Sequence, residues 1–404
     1  MGIPSLYRWF RDCGLQGNFS NVHTENTCHV YIDCLFMLQS EYFSNQKNVK
    51  QSIIKLFEDS LTIYLNQIAS HWQITKIYLI LEGISPVIKL HKQRKHLQTH
   101  PHPILAGTVF MHNFLEYIKS KYTYCTICDY NTRGEAKCKI TQLISTAKQA
   151  ENFIISGDSD LLLMLLMRTN NNCVVYNPYS KVCDYFELNK VRAHLQKINL
   201  SAQELCLLTS MFGNSYNGNR DYFPREKRVY FFKCAIRSYL DVRAAGNRLF
   251  NDNYCINWTT LNRLYSCLLK EEESLIYRNY SSFIEFHKMY YGGYDTEEIF
   301  TMCNYYLQSV QLIQDYYNDK PINWFFYYSY EQIPCIYDLY CYLNITCNKV
   351  ILSEINHNLA EENFLTPVMN IINYLPAQLH YFKPEQVYVE HDKDYLTTFR
   401  KLIA

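Results

Sequence analysis

Residues 152–165 read NFIISGDSDLLLML, in which a short apolar run leads into a turn that carries Asp158 and Asp160. Two earlier stretches, residues 29–32 (HVYI) and 76–81 (KIYLIL), are apolar and contain β-branched residues in the same way. Helical patterns separate these three strand-like runs. The alternation predicts an α/β fold with a mostly parallel sheet flanked by helices.

The pattern changes near residue 250, where Tyr-rich helical segments replace the strand-like runs. We therefore expect two domains. Residues 1–250 would form the α/β domain, and residues 251–404 would form a helix-rich second region. Because no Pro- or Gly-rich linker separates the two, we expect the second region to pack on the first.

The composition is that of a folded, nearly neutral chain. Among 404 residues, 39 Lys and Arg balance 38 Asp and Glu, which excludes a protein that is basic overall but allows a local basic patch. The 48% of hydrophobic residues excludes a mainly disordered chain. The 16 Cys are scattered, so we expect reduced thiols in the cytoplasm or nucleus. We expect no membrane-spanning segment and a monomer.

Acidic residues follow all three strand-like runs. Asp33 and Glu82 end the first two, and Asp158 and Asp160 follow the third. The carboxyl ends of neighbouring parallel strands meet at one edge of a sheet, so these side chains would converge there. Glu135 opens a helix, where the dipole favours negative charge, and could join them. Each acid taken alone is also consistent with a helix cap or a turn.

A cluster of carboxylates is costly without a cation. Hard oxygen ligands select Mg²⁺ or Mn²⁺. Two such ions roughly 4 Å apart are a general device for in-line phosphodiester cleavage. The acids therefore predict a site for one or two Mg²⁺ or Mn²⁺ ions.

A basic segment comes directly after Glu82. Residues 83–98 contain Lys89, Lys92, Arg94 and Lys95. These side chains favour a phosphate pocket, because Lys and Arg pair with phosphate oxygens. The alternative is a solvated helix face.

The sequence also contains a Cys-x-x-Cys element, Cys125 to Cys128, with Cys138 nearby. A zinc site would need a fourth ligand at a matching spacing, for which His112 is a distant candidate. The alternative is a set of ordinary buried thiols.

Seven segments, in their order along the chain, resemble the Xrn-type 5′-to-3′ exoribonucleases, relatives of the flap endonucleases with a PIN-like catalytic fold. The segments are residues 1–10 (MGIPSLYRWF), 30–33 (VYID), 79–94 (LILEGISPVIKLHKQR), 133–140 (RGEAKCKI), 155–165 (ISGDSDLLLML), the aromatic run 305–339 and residues 364–376 (FLTPVMNIINYLP). The resemblance covers nearly the whole chain. It implies degradation of single-stranded RNA that carries a 5′ monophosphate, with release of nucleoside monophosphates.

The resemblance also implies roles for individual residues. By position, it assigns metal ligation to Asp33, Glu135, Asp158 and Asp160, and binding of the terminal phosphate to Lys89, Gln93 and Arg94. We add Glu82 to the metal ligands and Lys92 and Lys95 to the phosphate pocket.

The chain departs from the family pattern at several positions. Glu82 stands where the family has Asp, and Gln39 stands where it has a His that stacks on the first base. Lys137 replaces a second Glu, and an ammonium group repels a metal ion. The last metal ligand is either Asp221, reached through a short insertion, or has been lost to Ser215.

These departures leave two alternatives to an exoribonuclease. One is a degenerate relative that binds RNA 5′ ends or a protein partner without cleaving. The other is a nuclease that acts on DNA.

Overall fold

The computed structural model describes residues 6–17, 27–45, 52–83, 85–86, 88–89, 104, 109–130, 134–147, 151–180, 184–214, 216–219, 222, 225–278, 280–323, 326, 328–330 and 332–350. They form two compact units. One contains the described residues from Leu15 to Val191, and we call it the sheet unit. The other contains those up to Gly14 together with those from Arg192 onward, and we call it the helical unit. The domain boundary expected near residue 250 stays a prediction.

The described elements follow one another in a regular order. After α1 (Leu6–Asp12) come β1 (Thr27–Asp33), α2 (Cys34–Asn45), α3 (Ile53–Ala69), β2 (Gln73–Ile80), α4 (Val109–Lys121), β3 (Thr126–Cys128), α5 (Ala136–Thr146), β4 (Glu151–Ile155), α6 (Ser159–Arg168), β5 (Cys173–Asn177), β6 (Asp184–Glu187) and α7 (Leu188–Lys197). The chain continues with α8 (Ala202–Ser210), β7 (Gly213–Asn214), β8 (Gly218–Asn219), α9 (Arg225–Ala244), α10 (Trp258–Ile276), α11 (Phe283–Tyr291), α12 (Thr296–Tyr317) and α13 (Ile336–Ile345).

The described strands of the sheet unit form a six-stranded sheet in the order β3-β2-β1-β4-β5-β6. The first five strands are parallel, and β6 runs antiparallel to β5. The three strand-like runs of the sequence are β1, β2 and β4, which are neighbours in this order. The predicted α/β class with a mostly parallel sheet is confirmed.

The core of the sheet unit follows from the alternation of side chains along β1. Val30 and Ile32 are buried on one face, where Phe57 of α3 and Phe114 of α4 belong to the same apolar cluster. Tyr31 points to the opposite face, and its ring stacks on that of Tyr78 with centroids 4.7 Å apart. A strand buried on both faces is typical of a parallel sheet.

In the helical unit, the described regular elements from Trp258 onward are all helices. Their starts are well capped: Asn257 caps α10, and Asp295 with Glu298 forms a capping box at α12. At the end of α11, Gly292 takes the left-handed conformation (φ 65°) that terminates many helices. Along the described residues, every helix is too short or too polar to traverse a bilayer.

Candidate functional site

The register of β1 places Asp33 at the carboxyl edge of the sheet. Asp33 lies beside Ile80 of β2, and Ile32 lies beside Ile155 of β4. Ser156, which follows β4, therefore reaches Asp33, and its hydroxyl donates to Asp33 Oδ2 at 2.9 Å. The other oxygen of Asp33 accepts the N–H of Phe36 at 3.1 Å, in the first turn of α2. Asp33 is thereby fixed by two neutral donors.

The turn after β4 fixes the paired aspartates. Asp158 is the N-cap of α6, and its Oδ1 accepts the N–H of Asp160 at 3.1 Å. The N–H of Asp158 donates to the hydroxyl of Ser156 at 3.2 Å, which links this turn to Asp33. Asp160 is fully buried, whereas the side chain of Asp158 is 25% exposed. Asp158 is thus the member of the pair that solvent can reach.

Glu82 and Glu135 come together because the chain after β2 is bonded to the start of α5. The N–H of Gly83 donates to Gly134 O at 3.0 Å, and Glu82 Oε2 accepts the N–H of Ala136 at 2.8 Å. Gly134 has φ +99°, a conformation that L side chains rarely adopt, which explains a glycine before Glu135. Glu135 occupies the N-cap position of α5 and is fully buried.

Two buried lysines lie among these carboxylates. The Lys137 ammonium is 2.9 Å from Asp160 Oδ2, 3.4 Å from Asp158 Oδ2 and 3.7 Å from Glu135 Oε1. The Lys89 ammonium is 3.0 Å from Glu82 Oε1 and also pairs with Glu135. We call these seven residues the acidic cluster: Asp33, Glu82, Lys89, Glu135, Lys137, Asp158 and Asp160. Removing one partner of an ion pair buried this deeply leaves the other charge uncompensated, which is strongly destabilising.

The charges of the cluster are not evenly balanced. Burial raises the pKa of Asp33 to about 7, and the negative charges of Glu82 and Asp158 add to this effect. Burial alone would lower the pKa of Lys89, but Glu135 and Glu82 together hold it above its ordinary value. The cluster therefore has excess negative charge near Asp33 and matched charge near Lys89.

A third buried lysine borders the cluster. Lys139 donates to Leu81 O at 2.9 Å and to Asp129 O at 2.7 Å. Burial lowers the pKa of Lys139 to about 8. This lysine ties α5 to the end of β2 and to the segment after β3, and so helps to position Glu82.

Carboxylates are the right donors for a hard divalent ion, but here they surround ammonium groups. In the described part of the chain, one group of three His, Cys, Asp or Glu residues has its donor atoms within 4.8 Å of one another, and it lies outside the acidic cluster. A divalent ion at the carboxyl edge of the sheet would therefore draw the acids of the cluster closer together. Carboxylate oxygens are the ligands that a hard divalent ion prefers, so the donor atoms of the cluster suit such an ion.

The structure brings together most of the acids that the sequence singled out. Asp33, Glu82, Glu135, Asp158 and Asp160 converge with Lys89, but their roles stay predictions. The remaining predicted site residues lie outside the described residues: Lys92, Gln93, Arg94, Lys95, Asp221 and the alternative Ser215. Cys125, Cys128 and Cys138 form no three-ligand group within the described ranges.

Sequence reasoning missed two residues that hold the cluster in place. Ser156 bonds both Asp33 and the Asp158 backbone, and its position directly after β4 was the available signal. Lys139 is buried two residues beyond Lys137, and nothing in its spacing indicated burial.

Comparison with known proteins gives distant structural likeness. No protein-family model matches the sequence, and no curated protein matches it. Among solved structures, the catalytic core of Rad2 in complex with DNA substrate has 13% identity and a TM-score of 0.46, over 86% of this chain and 96% of that chain. Human GEN1 in complex with Holliday junction DNA has 12% identity and a TM-score of 0.40, over 68% of this chain and 61% of that chain. The site is therefore interpreted from its own geometry.

Proposed function

We propose that this protein is a metal-dependent nuclease that degrades single-stranded RNA from a 5′ monophosphate end. The observation that carries the proposal is the convergence of five carboxylates, from Asp33 to Asp160 in chain order, at the carboxyl edge of β1, β2 and β4. Ligand sites in open α/β sheets lie at this edge. The resemblance to the Xrn-type exoribonucleases assigns metal ligation to four of these acids: Asp33, Glu135, Asp158 and Asp160.

We place the metal, Mg²⁺ or Mn²⁺, on the side of the acidic cluster near Asp33, where negative charge is in excess. Asp33, Glu82 and Asp158 would hold it, because Asp33 is bonded to neutral donors and Asp158 is reached by solvent. When bound, the ion would stabilise negative charge on the scissile phosphate. Lys137 would neutralise Asp160 and Glu135 at the position where a second ion would otherwise be needed. We therefore favour one ion over two.

The basic segment, residues 83–98, would recognise the 5′ end of the RNA. Lys89 is buried and paired with two carboxylates, so its contribution is to hold Glu82 and Glu135 in place. We assign the terminal phosphate to Gln93 and Arg94, with Lys92 and Lys95 adding positive charge. We also propose that the protein is a monomer. We place it in the reducing intracellular compartments, because no disulfide joins the cysteines of the described residues.

A second candidate function is favoured by one specific observation. The Lys137 ammonium contacts three carboxylates at 2.9–3.7 Å, and a buried cation there opposes metal binding. The protein would then bind RNA 5′ ends without cleaving them. DNA in place of RNA is the further alternative for an active enzyme.

The experiment uses the purified full-length chain with Mg²⁺ or Mn²⁺ and a 3′-labelled single-stranded RNA that carries a 5′ monophosphate. The same RNA with a 5′ triphosphate, a DNA of the same sequence and the double variant Asp158→Asn/Asp160→Asn are run in parallel. The proposal expects metal-dependent loss of the monophosphate RNA alone, and no loss with the double variant. Binding of this RNA without cleavage in either metal would support the second candidate.

A further inference from the structure

A second set of metal-binding side chains lies in the helical unit, away from the acidic cluster in the sequence. Asp338 Oδ2 is 2.7 Å from Cys335 Sγ and 3.2 Å from His287 Nε2. The sulfur and the imidazole nitrogen are 3.9 Å apart. A thiol, an imidazole and a carboxylate therefore point at one position from two helices.

The start of α13 explains why two of these groups are available. Cys335 is the N-cap of α13 but makes no side-chain capping bond. Glu272 of α10 caps this helix instead, accepting the N–H groups of Ile336 at 2.7 Å and Tyr337 at 2.9 Å. Asp338 follows three residues after Cys335, so both side chains lie on the same face of the helix. The Cys335 thiol thus donates to Asp338 Oδ2 instead of capping the helix.

Tyr291 supports this arrangement from α11. Its hydroxyl donates to Asp338 Oδ2 at 2.5 Å and accepts the N–H of Cys335 at 2.9 Å. His287 lies one helical turn earlier, and its ring packs between those of Phe283 and Tyr291, with centroids 4.5 and 5.0 Å away. Groups that hold metal ligands in place in this way are a general feature of metal sites.

Two of the three distances agree with a tetrahedral ion. Bond lengths of roughly 2.0–2.3 Å to nitrogen, oxygen and sulfur correspond to ligand separations of about 3.4–3.6 Å. The His287–Asp338 and His287–Cys335 separations, 3.2 and 3.9 Å, lie within about 0.4 Å of these values. The Cys335–Asp338 pair is closer because the thiol donates a hydrogen bond. An ion that replaced this proton would widen the pair.

We propose that His287, Cys335 and Asp338 bind one Zn²⁺ ion, with water as the fourth ligand. A sulfur, nitrogen and oxygen donor set favours Zn²⁺ over the Mg²⁺ expected at carboxylates. Binding forms the zinc–sulfur bond and releases the thiol proton to solvent. The side chain of His287 is 27% exposed and gives the ion a route to Cys335, which is fully buried. That burial also argues against Cys335 as a nucleophile.

The test uses the full-length chain, stripped with a chelator and titrated with Zn²⁺ and, in parallel, with Co²⁺ as a spectroscopic probe. The wild-type chain should bind one Zn²⁺ and give a thiolate-to-cobalt charge-transfer band. Cys335→Ser should lose the band, and His287→Gln should weaken zinc binding at least about tenfold. Tyr291→Phe, which removes a positioning residue, should weaken it about 10–100-fold.

Two controls keep the result specific to this site. Cys341→Ser removes another thiol of α13 and should leave the band unchanged, as should Asp158→Asn/Asp160→Asn in the acidic cluster. His287 is partly exposed, so its variant should fold, and Zn²⁺ should raise the Tm of the wild-type chain more than that of this variant. A wild-type chain without the cobalt band, or equal zinc binding by Cys335→Ser, would overturn the proposal. Neither outcome depends on nuclease activity.

Discussion

The ammonium of Lys137 lies 2.9 Å from Oδ2 of Asp160, and both side chains are buried. The same ammonium is 3.4 Å from Asp158 and 3.7 Å from Glu135. A side-chain cation thus occupies part of the space between carboxylates that would otherwise need a metal ion. Under the proposed function, the number of ions that the acidic cluster binds, and whether it cleaves, would depend on this lysine.

Lys137→Glu should increase the affinity of the acidic cluster for Mn²⁺. The change replaces a buried positive charge with a ligand of the type that the family resemblance places there. At an effective dielectric constant of about 20, two unit charges 4 Å apart interact by about 4 kcal/mol. We therefore expect the affinity for Mn²⁺ to rise at least about tenfold. Calorimetric titration of the folded variant with Mn²⁺ measures it.

The matched control for this charge reversal is Lys119→Glu. Lys119 lies on α4 in the same unit, and its side chain is 46% exposed. A similar gain in both variants would mean that Mn²⁺ responds to overall charge rather than to the position of Lys137.

The metal-free protein should lose stability as the pH rises from about 4 to about 7. Burial raises the pKa of Asp33 from 3.8 to about 7 in the folded chain, and the negative charges of Glu82 and Asp158 add to this. Over this interval the folded state holds the proton that the unfolded state has released, so the free energy of unfolding falls with pH. The loss is at most about 4 kcal/mol. Urea unfolding at a series of pH values measures it.

Asp33→Asn serves as the comparison for this pH effect. It removes the titrating group and should flatten the dependence between pH 4 and 7. Mg²⁺ at pH 8 should stabilise the wild-type chain and have little effect on this variant. An equal pH dependence in both proteins would assign the effect to other groups.

Gly157→Ala should destabilise the turn that carries the paired aspartates. A Cβ at this position would overlap the ring of Phe36 and approach Asn177 Nδ2 at 2.9 Å. Overpacking of this kind costs roughly 1–3 kcal/mol. Thermal unfolding of the variant measures the cost. Adding Phe36→Leu should recover part of it, and a double variant no more stable than Gly157→Ala would exclude this contact as the cause.

Glu272→Ala should destabilise the helical unit by about 2–3 kcal/mol, because two N–H groups of α13 lose their acceptor. Glu272 is 1% exposed and accepts bonds from Ile336 and Tyr337. Chemical denaturation gives the change in free energy. Glu273→Ala, at the exposed neighbouring position, should stay within about 0.5 kcal/mol. Equal losses in the two variants would count against the capping role.

The sheet that positions the site was largely predictable. β1, β2 and β4 are apolar runs that end at an acid or a glycine turn, so their type follows from the pattern, whereas their adjacency is shown by the structure. The short strands β3, β5 and β6 have three to five residues, too few to form a distinct pattern, and the sequence did not indicate them. The sequence places the start of a helix at Glu135, and in the structure this helix ends at Thr146, where Ala147 becomes extended (φ −73°, ψ 130°).

The pairing inside the acidic cluster was not predictable. The sequence marks Lys137 as a cation near acids, but only the packing of α5 beside α6 shows that it contacts Asp158 and Asp160. The resemblance assigns Lys89 to a phosphate pocket, and nothing in the sequence indicated that it pairs with Glu82 and Glu135. His287 and Cys335 are separated by 48 residues, and no spacing in the sequence connects them.

The most direct test of the central claim is an anomalous difference map from crystals of the full-length protein grown with Mn²⁺. We expect a manganese peak at the carboxyl edge of the sheet, coordinated by oxygen atoms of Asp33, Glu82 and Asp158. Lys137 should remain close to Asp160. Crystals at saturating Mn²⁺ that show no peak among these carboxylates, with the ion pairs of Lys137 and Lys89 unchanged, would contradict a metal site at this edge.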